Sequence, residues 1–462
     1  MNFTLKWFGL LFSSFLVQSV IVGQESFNLE QAIKYSQEHS TRLKIQKLDV
    51  QDAKDQIAEY YAIGYPKLGA KVGYNYFINV PTSILPDFIS PAIYDILVKE
   101  KLLPTNNATY GGGVPVQFGT KNNLNASLEL STLIFDGSFF VGLKAQKLYK
   151  ELITKQIAQS EADVRYQVTK AYLASLVVKE NLQVLEKNRS NLQNVYKELN
   201  EIFKAGFVEK LDVERIELSL QQLESEKEKL DRIAGIAENL LKFQMNYPLD
   251  QPLIQSQTLD DILKSSYIEI MDPSIRLNPQ ARPEYAVIDQ AIKLSQINIK
   301  RYKGSYLPSL FGFASHQESL QRNKLFDSKD NSWFPTTVVG LNLNVPIFDG
   351  FDRKAKISKA KTVLFRTELQ RSEFERGVQL EFENAKTQYI NALTSLDSRK
   401  KSLALAEKIY NTSKIKFKEG VGSSLEITTA ERDLYQAQAN ILDAQYNLIV
   451  TKVELDKALG KI

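Results

Sequence analysis

The chain has 462 residues, no cysteine, two histidines (His39 and His316), and 58 basic side chains against 54 acidic ones. That length allows about three domains of ~150 residues and a large core, while the near balance of charge argues against a nucleic-acid binder, which shows a basic stripe. Without cysteine, and with its two histidines far apart in sequence, the chain has no cysteine nucleophile, zinc finger or iron–sulfur cluster, and no cofactor or metal is expected.

Residues 1–23 read as a secretory signal peptide. Lys6 precedes an apolar run from Trp7 to Val17, and small and polar residues follow at Gly23 and Gln24. The run is shorter than the ~20 residues that span a bilayer, and no cysteine follows it to carry a lipid. Beyond it there is no uninterrupted apolar stretch of ~18 residues, so a mature chain embedded in a membrane must cross as a β-barrel.

The first repeat, 24–282, opens with a helix and continues into strands at 68–80 and 124–135. On the first strand Leu68, Ala70, Val72, Tyr74, Tyr76 and Ile78 alternate with Gly69, Lys71, Gly73, Asn75, Phe77 and Asn79. The second alternates Leu124, Ala126, Leu128 and Leu130 with Asn125, Ser127, Glu129 and Ser131. Between them the Pro- and Gly-rich stretch 81–123, with Gly111-Gly112-Gly113, reads as a long loop. A helical hairpin over 137–247 follows, because no proline lies within it and residues 143–205 contain no glycine either. That run alone makes a helix of roughly 95 Å. One heptad seam reads Val164, Ala171, Val178, Leu185, Leu192, Leu199, and the other Val168, Ser175, Leu182, Arg189, Tyr196, Phe203. Residues 248–282 form an equatorial segment.

The second repeat, 283–462, has the same plan: a helix, strands at 308–318 and 337–348, and a helical hairpin over 350–460. The third strand is noisy, with Phe311 and Phe313 on the inward face. The fourth alternates Val339, Leu341, Leu343 and Val345 with Gly340, Asn342 and Asn344. The last helix is regular, with Ile427, Leu434, Ile441, Leu448 and Leu455 on one seam and Ala430, Ala437, Ala444, Thr451 and Ala458 on the other. Gly206 and Gly420 interrupt the helical runs and mark the hairpin tips, where a C-cap glycine reverses the chain.

The two halves match at fixed distance. Leu130 to Gly137 aligns with Leu343 to Gly350, and Phe203-Lys204-Ala205-Gly206 with Phe417-Lys418-Glu419-Gly420, at offsets of 213 and 214 residues. Pro66-Lys67-Leu68 corresponds to Pro308-Ser309-Leu310 at a larger offset, which places an insertion near Pro81–Asn123. Conserved order and spacing point to a tandem duplication.

With the junctions Phe135-Asp136-Gly137 and Phe348-Asp349-Gly350 and the paired tips at Gly206 and Gly420, the sequence resembles the TolC-like outer-membrane efflux protein family. The resemblance implies an α+β membrane protein with an internal tandem repeat: a long antiparallel coiled-coil helical barrel plus four strands per protomer, contributing to a twelve-stranded trimeric transmembrane β-barrel. It implies a homotrimer in outer-membrane lipid with a periplasmic helical portion. Such a trimer is the exit duct of a tripartite efflux pump or type I secretion system, partnered by a periplasmic adaptor protein and an inner-membrane transporter of RND or ABC type. It further implies a periplasmic gate at Glu426, its repeat counterpart Asp212, and Thr429, which stands where family members are often acidic. Adaptor docking is implied at Gly206, Phe207 and Val208 and at Gly420, Val421 and Gly422. First-turn acids also stabilise helix N-termini, the plainer role for Asp212 and Glu426.

Two other readings compete. A periplasmic adaptor has a helical hairpin and β domains, but usually one hairpin where this chain has two. A structural coiled-coil protein explains the heptads and leaves the apolar strand faces unexplained. No P-loop, H-E-x-x-H or nucleophile-elbow motif favours an enzyme.

Overall fold

Helix-forming runs and period-two runs alternate along the chain, and the computed structural model follows them. It describes residues 26–86, 89–105, 113–266, 276–326 and 332–462; the signal-peptide segment 1–23, Gly111-Gly112 and part of the equatorial segment lie outside them. In chain order the first half holds β1 (Ser26–Phe27), α1 (Leu29–His39), α2 (Thr41–Ala62), β2 (Lys67–Tyr76), β3 (Thr82–Pro86), α3 (Ile89–Lys99), β4 (Gly113–Gln117), β5 (Asn122–Asp136), α4 (Gly137–Lys204), α5 (Lys210–Met245), β6 (Ile254–Gln255) and α6 (Leu259–Ser266). The second half holds α7 (Pro283–Gly304), β7 (Ser309–Arg322), β8 (Phe334–Asn344), α8 (Asp352–Lys418) and α9 (Ser424–Ala458). The stretch read from sequence as a bare loop, 81–123, therefore carries structure of its own: β3 and β4 pair antiparallel on either side of α3.

The chain divides into two units. The first takes Met1–Val50, Leu152–Asp289 and Glu368–Ile462. Its larger core gathers Phe27, Tyr172, Leu176, Leu241, Met245, Leu259, Phe382, Tyr389, Leu396 and Leu448 around the short β1–β6 pair. Asn28 opens α1 with a capping box, accepting from the Gln31 amide at 2.8 Å while its own amide donates to Gln31 Oε1 at 2.9 Å. A second cluster, nearer the hairpin tips, packs Leu192, Val195 and Leu199 of α4 with Val213 and Ile216 of α5, Tyr410 of α8 and Ile427, Ala430 and Leu434 of α9.

The α9 seams are buried or half-buried throughout. In α4 one predicted seam is corrected. Leu185, Leu192 and Leu199 are buried, but their partners are Asn188 and Val195, three residues on, whereas Leu182, Arg189 and Tyr196 are only half-buried. The expected positions lie four residues after the first seam and flank the interface instead of filling it. Asn188 fits a buried layer because its amide donates to Gln438 Oε1 of α9 at 2.8 Å.

The second unit takes Gln51–Glu151 and Gln290–Thr367. It is built on one antiparallel sheet in the order β2-β5-β7-β8. Register aligns Leu68, Leu130, Ala314 and Val339 across all four strands, and one turn of pleat further Ala70, Leu128, His316 and Thr337. Because opposed residues share a face, the four alternations merge into one surface. β5 bulges between Leu133 and Phe135, which returns Phe135 to the row of Leu310 and Leu343. β8 stops at Asn344, short of the predicted 348. Pro346 has no N–H for a ladder, and the first repeat has no proline at that place.

Candidate functional site

At the two helix-hairpin tips the chain reverses by the same hydrogen bonds. The Gly206 amide donates to Phe203 O at 2.9 Å and the Phe207 amide to Ile202 O at 3.1 Å. In the second repeat the Gly420 amide donates to Phe417 O at 3.1 Å and the Val421 amide to Lys416 O at 3.0 Å. Both are Schellman endings, and both glycines take the left-handed backbone they require, with φ of +80° and +73°. The reversal pushes Phe207 and Val421 into solvent, 81% and 79% exposed. Val208 instead packs on the tip cluster. Gly422 has no room for a side chain, since an added Cβ would lie 3.0 Å from the Phe417 nitrogen.

Helices α5 and α9 begin immediately beyond these reversals, which brings the predicted acidic positions to the tips. Ser423 caps α9 by accepting from the Glu426 amide at 3.2 Å. Asp212 accepts a hydrogen bond from the Ser424 hydroxyl, so the first turns of α5 and α9 are tied directly. The same Asp212 oxygen lies 3.7 Å from Arg215 Nη1. The Glu426 carboxylate pairs with Lys416 Nζ at 3.2 Å, within the α8–α9 hairpin. Thr429 is half-buried and lines a cavity of about 570 Å³ between α4, α5 and α9. One acid that sequence reasoning missed lines the same cavity. Glu431 is 5% exposed, its Oε2 has no hydrogen-bond partner, and burial pushes its carboxyl up to about 7, with Lys414 opposing the rise.

At the two strand-to-helix junctions, equivalent residues meet different demands. Asp136 caps α4, accepting from the Ser138 amide at 2.7 Å, the Ser138 hydroxyl at 2.6 Å and the Phe139 amide at 2.9 Å. Gly137 is there for space: an added Cβ would sit 2.7 Å from Gly304 O and 2.6 Å from Leu307 Cδ1. Asp349 accepts from the Arg353 amide at 3.0 Å. Gly350 has open space around it and is needed for its φ of +65°. Phe348 and Phe351 meet edge to face at 5.4 Å and both remain exposed.

The sheet has one apolar face and one polar face. Leu68, Val72, Leu128, Leu130, Val339, Leu341 and Leu343 stand on the first and are exposed in the single chain. On the other face Lys71 pairs with Glu129 at 2.6 Å and the Gln317 amide donates to Asn125 Oδ1 at 3.2 Å. Phe311 and Phe313 point to this second face, Phe313 lying over Gly340, where an added Cβ would be 2.7 Å from the ring. Tyr65, Phe135, Phe140, Tyr306 and Phe348 are exposed around the end of the sheet where the helices begin, and Tyr74, Tyr76, Trp333 and Phe334 at the opposite end. Among the described residues no helix is long and apolar enough to cross a membrane, and no group of three or more His, Cys, Asp or Glu is placed to hold a metal ion.

Known proteins share this arrangement. Residues 280–461 match the family model described as outer membrane efflux protein. SilC of Salmonella typhimurium, named as a probable outer membrane lipoprotein, is 22% identical over 384 residues, covering 78% of this chain and 77% of its own length. Outer membrane protein TolC of Escherichia coli K12 is 21% identical over 376 residues, 77% of this chain and 73% of TolC. A crystal structure of CusC, described in terms of folding and transmembrane channel formation, superposes with a TM-score of 0.70 at 16% identity over 94% of this chain and 92% of its own. Family signature, relatives and fold agree in making this chain similar to the TolC-like efflux proteins of the bacterial outer membrane.

Proposed function

We propose that three copies of this chain assemble into an outer-membrane channel, each adding its four strands to a twelve-stranded barrel, and that the channel is the exit duct of a tripartite efflux pump or type I secretion system. The observation that carries this reading is the sheet. It has one apolar and one polar face, and its outer strands β2 and β8 have no neighbour among the described residues. Such edges invite further pairing, and membrane barrels have at least eight strands. Strands of 10 to 15 residues suit a tilted crossing, and the two aromatic groups suit interfacial girdles. Exposed apolar residues on α5 (Leu211, Leu218, Ile236, Leu240, Phe243) and on α8 (Ile390, Leu405, Ile409, Ile415) supply surface for neighbouring protomers. The recurrence of element order and of the tip bonds supports a tandem duplication.

The tips are the gated, periplasmic end. Glu426 and Asp212, in first turns beside the tips, bring acidic groups from three protomers near one axis, where they repel anions and attract cations. The exposed Phe207 and Val421, with Gly206, Val208, Gly420 and Gly422 shaping the turns around them, are the docking points for a periplasmic adaptor that links the duct to an RND or ABC transporter. Conductance of the purified protein in planar bilayers tests the reading: channels of uniform size, low at rest, are expected. Glu426→Ala, which frees Lys416, should raise that conductance or change its dependence on divalent cations. Identical behaviour of the variant in both respects refutes the gate assignment, and a water-soluble monomer stable without detergent refutes the channel.

A further inference from the structure

Five residues beyond Glu426 on α9, the Glu431 side chain is buried inside the tip cluster between Ala430 and Leu434, and its Oε2 has no partner. Tyr410 of α8 is also buried, 6% exposed, and its hydroxyl too is without a partner. Buried oxygens are nearly always hydrogen-bonded, so two unsatisfied ones on facing helices are a liability at that point. The charges around Glu431 do not relieve it. From α8, Lys414 lies over the Tyr410 ring, 5.8 Å from its centroid, and makes no ion pair with Glu431 among the bonds of the described residues. From α5, Glu226 lines the same cavity and is held by Lys229 at 3.2 Å. From α9 itself come Arg432, which is turned to Asp433 at 3.4 Å, and Tyr435. α4 contributes the neutral Asn181, Asn188 and Leu192 to that cavity.

We propose that Glu431 is a proton-operated latch on the second hairpin tip: as a neutral acid it stays buried against Tyr410 and holds α9 in the tip cluster, and as a carboxylate it draws water from the adjoining cavity and loosens the first turns of α9. A neutral carboxyl carries a donor that Tyr410 Oη can accept, which satisfies both orphan groups at once. A carboxylate can accept from the single Tyr410 O–H but leaves its remaining lone pairs bare and must be hydrated, and the cavity of about 570 Å³ beside it has room for several waters. The latch is closed at acid pH and released as pH rises through neutrality. Because Asp212 is tied to Ser424 at the start of the same helix, release at Glu431 reaches both tips. The inference deepens the gate reading and rests on it for its consequence, but not for its local chemistry.

Hydrogen exchange of residues 424–435 in the detergent-purified protein, corrected for the intrinsic rate at each pH, tests the latch directly. With a carboxyl held at about 7 in the closed state and at its ordinary value of 4.5 when open, opening should increase about 25-fold between pH 5.5 and pH 8. In Glu431→Gln the exchange should not change over that range, and Glu431→Leu should do the same while filling the site. If either folded variant keeps the wild-type pH profile, or if the wild-type profile is flat, the latch is refuted. Bilayer conductance across the same pH range then separates the two claims: a pH-dependent exchange with pH-independent conductance leaves the latch standing and removes the tips as the gate.

Discussion

The start of α7 is pinned by a buried cation, and removing it should produce a pH-dependent loss of stability. Arg282 is 4% exposed. Its guanidinium donates to both oxygens of Glu284, at 2.8 and 3.1 Å, and to Glu381 of α8 at 3.0 Å. Burial alone would push the Glu284 carboxyl up, but the hydrogen bonds and charge of Arg282 outweigh it and hold the group below its ordinary value. Arg282→Met keeps the volume and deletes the charge, leaving Glu284 partly buried and unpaired. Breaking one side of a buried pair costs about 3–5 kcal/mol. The sign with pH follows from the depressed carboxyl: its contribution is present above the unfolded value near 4.5 and is lost as pH falls through the lower folded value. The variant should therefore be several degrees less stable than the parent at pH 7, and the gap should narrow as pH falls below 4.5. Replacing the whole triad, Arg282→Met with Glu284→Leu and Glu381→Leu, should recover most of the loss, since no charge is then stranded. Thermal unfolding in one detergent across pH 4 to 8 reads all three proteins. A single variant as stable as the parent at pH 7, or a deficit that grows on acidification, refutes the reasoning.

Other substitutions probe the junctions and the sheet. Gly137→Ala sets a Cβ against the backbone oxygen of Gly304, which cannot move independently, so a loss of about 1–3 kcal/mol in thermal unfolding is expected. Gly350→Ala meets no atom and suffers only the left-handed backbone, about 1–2 kcal/mol, most of which Gly350→Asn should recover. On β8, Val339→Arg puts a charge on the apolar face and should cost about 2–4 kcal/mol of folding into lipid, while Asn342→Arg on the opposite face should be near neutral. Equal refolding yields for the two in vesicles would exchange or abolish the assigned faces.

The fold was legible where one physical constraint dominates a segment. Freedom from glycine and proline over 143–205 leaves a helix little opposition, and α4 takes up that run as far as Lys204. The apolar alternations survive in the sheet because strand register keeps opposed residues on one face, and β7 carries Ala314, Gly312 and Leu310 on the apolar side, which is why its sequence looked noisy. Small residues there tell little about which side is apolar. The inserted stretch 81–123 was read as loop because prolines and glycines mark breaks, yet the pairing of β3 with β4 survives them: Pro86 and Pro115 sit in these short two-stranded partners, where ladder donors are few. Likewise the repeated Asp-Gly junctions concealed two demands behind one motif, a tight space at Gly137 and a left-handed backbone at Gly350, and only coordinates separate them.

Glu431 was missed for a reason that bears on every helix here. With Ile427 and Leu434 in one seam and Ala430 in the other, Glu431 takes the flanking position next to the seam, which in a two-stranded coiled coil is half in water and usually charged. Arg189 holds the corresponding flank of α4 and behaves as that rule says, remaining 25% exposed and paired with Glu186 at 2.6 Å and Glu224 at 3.0 Å. In the tip cluster four helices converge, so the flank of α9 that a single partner would leave wet is covered by Tyr410 of α8 as well. The same letter of the heptad is thus a solvated salt bridge on one helix and a buried, unpaired acid on another. The difference lies in how many neighbours the helix has, a quantity that a heptad pattern does not encode. A charged flank in a chain with two hairpins is therefore the place where burial should be checked first, because a stranded charge there turns an ordinary surface residue into one that responds to protons.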